Sequence, residues 1–141
     1  MRSIVCKSLC AAALLLASAP GFAGVVVIVS AKSGVASLAK DQVASLYLGK
    51  TAALPGGGSA KLYDSAESNP AREAFYQAAT GKSASQVKSV WSRLVFSGRA
   101  VPPHELTSDA SVVKAVAADP AAIGYVDSAA LDGTVKAVLK L

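Results

Sequence analysis

Residues 69–98 read NPAREAFYQAATGKSASQVKSVWSRLVFSG, and the way this stretch divides decides the fold. Asn69 has the side chain of a helix cap, and Pro70 suits the first helical position, where a missing N–H costs nothing. Ala71, Ala74, Phe75, Ala78 and Ala79 then trace one apolar stripe as far as Gly81. A second helix is predicted from Ser83, where Gln86 completes a capping box; its stripe is Val87, Val90, Trp91 and Leu94, and it ends near Gly98. Two consecutive amphipathic helices joined by a single turn need a second layer to cover their apolar faces.

The flanking segments supply that layer. Upstream, Lys61 to Tyr63 reads as a short strand, and Pro55-Gly56-Gly57-Gly58-Ser59 before it as a surface turn. The glycines do not form a phosphate-cradling P-loop, because the closing Gly-Lys-Ser/Thr is missing and no long helix follows. From Asp41, the spacing of Val43, Leu46 and Tyr47 predicts a helix closed by Gly49. Val25 to Val29 is a continuous β-branched run, suited to a strand covered on both faces as in a parallel α/β sheet. Downstream, Pro102-Pro103 predicts an extended connection. Ser108 or Asp109 opens a helix carrying Val112, Val113 and Val116, which Pro120 terminates. Ile123 to Val126 reads as a strand, and Thr134 to Leu139 as a half-exposed one with Val135, Ala137 and Leu139 facing inward. The order is β-α-β-α-α-α-β-β, an α/β sandwich of helices on a short mixed sheet.

Residues 1–23 read as a secretory signal peptide: Arg2 and Lys7 precede the apolar stretch Leu9 to Ala17, and Gly21-Phe22-Ala23 offers the small residues a cleavage site needs. The apolar stretch is far shorter than the ~20 residues of a spanning helix. Leu9 before Cys10, with the apolar core following it, does not suit lipid attachment. Both cysteines, Cys6 and Cys10, fall in the signal, so residues 24–141 carry no disulfide. The expected product is a periplasmic domain spanning residues 24–141, with no membrane insertion after cleavage. Without Arg2 and Lys7, the 14 basic residues become 12 against 9 acidic ones, a net charge of +3. The basic residues are scattered singly without interleaved aromatics, which excludes a nucleic-acid groove.

Enzyme chemistry finds little support. His104 is the one histidine; with no cysteine beside it, a zinc site lacks ligands, and no metal or cofactor is implied. No Gly-x-Ser-x-Gly elbow supports a triad, and Glu67 and Glu73 flank a helix start, where acidic residues suit the dipole. The best ligand candidate is the helix start at Pro70. Unpaired N–H groups and the positive dipole end favour an oxyanion there, Ser68 and Asn69 add side-chain donors, and Arg72 can grip phosphate with two N–H groups. The plainer alternative is that Ser68 and Asn69 only cap the helix while Arg72 pairs with Glu67 or Glu73.

Taken in order, Leu48-Gly49-Lys50, the arginine-containing helix start before Phe75, the tryptophan helix running into Phe96-Ser97-Gly98, and Ile123-Gly124-Tyr125-Val126 resemble phosphate-type periplasmic solute-binding proteins. The resemblance covers nearly all of residues 25–127. It implies a single-lobe periplasmic-binding-protein-like (type II) α/β domain with a short mixed sheet flanked by helices, where such proteins normally bind between two lobes. In that family the helix start usually reads Ser-Gly-Thr-Arg and holds phosphate. Here it reads Ser68-Asn69-Pro70-Ala71-Arg72, with serine and arginine kept, glycine and threonine lost, and one residue added. The implied ligand-binding residues are Ser68, Asn69 and Arg72, and the ligand is phosphate or a similar oxyanion, weakly bound. The implied partners are a membrane permease of an ABC transporter or another periplasmic protein. The alternative is an interaction or scaffold protein that keeps the fold without the ligand, offering Leu46 to Lys50 and Arg99 to Glu105 as partner surface.

Overall fold

A computed structural model describes residues 24–56 and 58–141; the signal-peptide reading of residues 1–23 lies outside them, as does Gly57 of the turn. The elements in chain order are β1 (Val25–Ser30), α1 (Lys40–Tyr47), β2 (Lys61–Ser65), α2 (Pro70–Thr80), α3 (Ala84–Phe96), β3 (His104–Leu106), α4 (Asp109–Ala117), β4 (Ala122–Asp127), a 3-10 turn (Ser128–Ala130) and β5 (Val135–Lys140). One mixed sheet has the order β3-β2-β4-β1-β5. β2 runs parallel to β3 and β4, while β1 runs antiparallel to β4 and β5.

The alternation of β1 divides the core. Val25, Val27 and Val29 face α1, α2 and α3, whose Val43, Leu46, Tyr47, Phe75 and Trp91 they join. Val26 and Ile28 face α4, with Val112, Val113 and Val116. The strand is buried at every position, as its β-branched run implies, yet neither neighbour is parallel. A continuous apolar run reports that both faces are covered and carries no information on strand direction.

Local signals set the helix ends. The Asn69 side chain accepts from the Ala71 N–H at 2.9 Å with Pro70 at the first position, and Ser83 and Gln86 close their capping box at 3.1 and 2.9 Å. Ser108 caps α4 through the Ser111 N–H. Two departures from the sequence reading are instructive. The Pro102-Pro103 connection does not stay unpaired: His104–Leu106 adds an edge strand to β2. In β5 a bulge sets Val27 opposite Leu139 and Ile28 opposite Ala137, so Val138 breaks the expected alternation. Val135 and Ala137 therefore join the α4 side, while Val138 and Leu139 join the other core.

Two glycines permit close approaches. Gly49 has φ +70, and a Cβ on it would run into Leu94 and the Trp91 ring. A Cβ on Gly124 would lie 2.8 Å from Val112 Cγ1 and 3.1 Å from Val116 Cγ2, so α4 seats on β4 where there is no side chain. Next to it, Tyr125 stacks on Phe75 with ring centroids 3.9 Å apart, and Tyr47 meets both rings edge-on. Among the described residues no helix is long and apolar enough to cross a membrane.

Candidate functional site

The three mutually parallel strands β3, β2 and β4 end on the same side, and ligands of open α/β sheets gather at such carboxyl ends. β2 ends in Asp64-Ser65, β3 carries Glu105, and the N-terminus of α2 sits beside them. Arg72, only 6% exposed, reaches into this corner. Its Nη1 donates to Glu105 Oε1 at 2.8 Å and to the Ser65 carbonyl at 3.2 Å, and its Nη2 lies 3.8 Å from Asp64 Oδ2. Burial alone would lower the Arg72 pKa; Asp64 and the Glu105 hydrogen bond outweigh it, so the guanidinium is held charged above its usual range. Glu67 and Glu73 are not its ion-pair partners. Glu67 pairs with Lys88 at 2.6 Å, a contact that pulls its pKa down, and Glu73 accepts from Gln77 and from the Ala84 N–H.

Behind Arg72, the buried Asp64 anchors a polar cluster. Its Oδ2 accepts from the Tyr76 hydroxyl at 2.6 Å, and its Oδ1 from the Tyr125 hydroxyl and from the Ser65 N–H at 2.8 Å. Burial, reinforced by the Asp64 charge, pushes the hydroxyl pKa values of Tyr76, Tyr125 and nearby Tyr47 far up, so all three stay neutral donors. Two buried polar atoms here have no hydrogen-bond partner among the described residues: Arg72 Nε and Ser65 Oγ.

The structure treats the three residues proposed from sequence differently. Ser68 is exposed. Asn69 is a staple: besides capping α2 it donates from Nδ2 to Asp109 Oδ1 at 2.9 Å, and Asp109 Oδ2 accepts from the Asp127 N–H, tying α2, α4 and the end of β4 together. The helix start has few donors left for an ion. Pro70 has none, and the Asn69, Ala71 and Arg72 amides are engaged by the Ala66 carbonyl, the Asn69 side chain and the Asn69 carbonyl. Arg72 lines two adjoining grooves, of about 370 and 410 Å3, together with Lys88. Four carboxylates, Asp64, Glu67, Glu73 and Glu105, surround these two cations. Sequence reasoning missed Asp64, Ser65, Lys88 and Glu105. The signal that points to Asp64 and Ser65 is a polar pair closing a strand just before a capped helix.

No protein-family model matches the chain, and no curated protein matches it either. Solved structures do. A protein assigned as a phosphate ABC transporter substrate-binding protein from Clostridium perfringens, with bound phosphate, superposes with a TM-score of 0.66 at 20% identity, over 82% of this chain and 44% of its own. An ABC-type phosphate transport receptor from Vibrio cholerae gives 0.65 at 20% identity, over 82% and 45%. A protein from Planctomyces limnophilus assigned to phosphate binding gives 0.60 at 14% identity, over 82% and 40%. The chain thus spans less than half the length of the structures it matches, and the likeness establishes the fold alone: a mixed α/β domain with a five-stranded open sheet and four helices, as found in part of those proteins.

Proposed function

We propose that this chain is an exported solute-binding-type module, residues 24–141 after removal of 1–23, whose arginine is latched from within. Phosphate or a similar oxyanion binds weakly at Arg72, beside Ser68 and Asn69, and must displace Glu105 to do so. The observation that carries this reading is the 2.8 Å pair between Arg72 and Glu105. Glu105 presents to the guanidinium the kind of oxygen a bound oxyanion would present, and its side chain is 53% exposed, so it can swing away. Arg72 Nε and Ser65 Oγ, both without partners among the described residues, are the donors such an ion would gain. The buried Asp64 and the surplus of carboxylates oppose it, so the affinity expected on this reading is near millimolar, about 4 kcal/mol.

The experiment is a titration of the chain with phosphate, and with chloride at matched ionic strength, followed through the backbone amides of residues 65–73. Removing a half-exposed competing charge is worth up to about 1 kcal/mol, so Glu105→Gln should tighten phosphate roughly fivefold. Arg72→Ala should abolish the response. A second reading is favoured by the four carboxylates around two cations: the chain keeps the fold, gives up the ion, and works by contact with another periplasmic protein. Identical responses to both salts in the wild type and in Glu105→Gln select that reading. An intact mass beginning at Gly24 checks export. A permease partner follows only from the first reading.

A further inference from the structure

Arg72 is ion-paired, whereas a group of cations elsewhere is not, among the described residues. On the opposite flank of Trp91 lies a cleft of about 910 Å3, walled by the segment after α1, the start of β2 and the connection from α3 into β3. Lys50, Lys61, Arg99 and His104 stand around it, all exposed, and no carboxylate lines it among the described residues. None of the three cations, Lys50, Lys61 and Arg99, makes an ion pair among the described residues. Lys61 instead lies 5.7 Å from the Tyr63 ring centroid, and the His104 ring meets Tyr63 edge-on at 6.0 Å.

The walls are held rather than loose. The Trp91 indole N–H donates to the Tyr47 carbonyl at 2.7 Å, fixing the end of α1, and Gly49 then packs against the Trp91 ring. Lys50 follows directly, so its position is set by the same contact. Across the cleft, Val101 is 86% exposed between Arg99 and the Pro102-Pro103 pair. An inorganic ion makes no use of such apolar surface. A concavity of this size, apolar within and ringed by the three cations Lys50, Lys61 and Arg99, has the make-up of a small-molecule site.

We propose that this cleft binds an organic anion that joins an acidic group to an apolar body. Its acid would be met by Lys61, Arg99 and Lys50, and its body would lie along Val101 toward Trp91. This site is separate from Arg72, and its occupation requires no movement of Glu105.

The test uses 1-naphthoate, its neutral counterpart 1-naphthylmethanol, and inorganic phosphate, each titrated while backbone amide resonances are followed. Naphthoate should give saturable shifts confined to residues 49–51, 60–63 and 99–104, with a dissociation constant of about 1 mM or below. The alcohol and phosphate should each bind at least about tenfold more weakly, a loss of about one unit in log affinity. The double variant Lys61→Gln/Arg99→Gln should lose about tenfold for naphthoate, whereas Lys140→Gln, the same kind of charge removal on far-edge strand β5, should lose almost nothing. Equal binding of acid and alcohol overturns the proposal. So do an equal loss in Lys140→Gln, phosphate reproducing the naphthoate shifts, and no saturable shift at all.

Discussion

Asp64→Ala should be among the most damaging single substitutions in this chain. The carboxylate is buried, accepts from two tyrosine hydroxyls and one backbone N–H, and lies 3.8 Å from Arg72. A hydrogen bond to a charged group contributes about 1.5–3 kcal/mol, and removing one partner of a buried charge pair costs about 3–5 kcal/mol. The two figures overlap because they describe the same contacts, and Glu105 remains to hold Arg72. The expected loss is therefore about 3–4 kcal/mol, a large part of the ~5–15 kcal/mol available to a domain of this size. Urea unfolding followed by Trp91 fluorescence measures it. A double-mutant cycle with Tyr76→Phe should return a coupling of about 1.5–3 kcal/mol, since the 2.6 Å bond exists only when both groups are present. A loss below about 1 kcal/mol for Asp64→Ala, or additive effects in the cycle, would refute the view that this cluster organises the corner behind Arg72.

Trp91→Ala should cost about 3–5 kcal/mol in denaturant unfolding read by circular dichroism, because the side chain is buried and bonded to Tyr47; a small loss would mean that the α3 stripe is misread. Gly124→Ala should cost about 1–3 kcal/mol by forcing α4 off β4 at Val112 and Val116, and a neutral result would contradict the close approach. The alkaline limb should be steep. Tyr47, Tyr76 and Tyr125 have folded pKa values raised above the ordinary value of about 10, so their contribution is fully present below that pH. It is lost as pH rises above it, by about 1.4 kcal/mol per pH unit for each group. Three of the four tyrosines should thus ionise only in step with unfolding; more than one ionising in the intact fold contradicts this.

What was legible in the sequence was local. Asn69, Ser83 and Gln86 announce helix starts within three residues of themselves, and Val87, Trp91 and Leu94 of the next stripe face the core as their spacing predicts, while Val90 joins neither core cluster. What escaped depends on partners far along the chain. Whether His104–Leu106 pairs or stays a connection is decided by an open edge on β2, and the Val138 bulge by the strand opposite it. The same holds for the site. Arg72 and Ser68 are visible as a helix start, but Glu105, 33 residues on, takes the guanidinium, and nothing near Arg72 in sequence says so. The segments around Lys50 and Arg99 each stand out as surface; only the fold puts them on one cleft.

The most direct test of the latched-arginine account is the side-chain Nε–H resonance of Arg72, the buried donor without a partner among the described residues. The account predicts a saturable shift of this resonance with phosphate but not with chloride at matched ionic strength, reached at roughly fivefold lower phosphate in Glu105→Gln. A resonance that phosphate leaves unmoved in both the wild type and Glu105→Gln would contradict it.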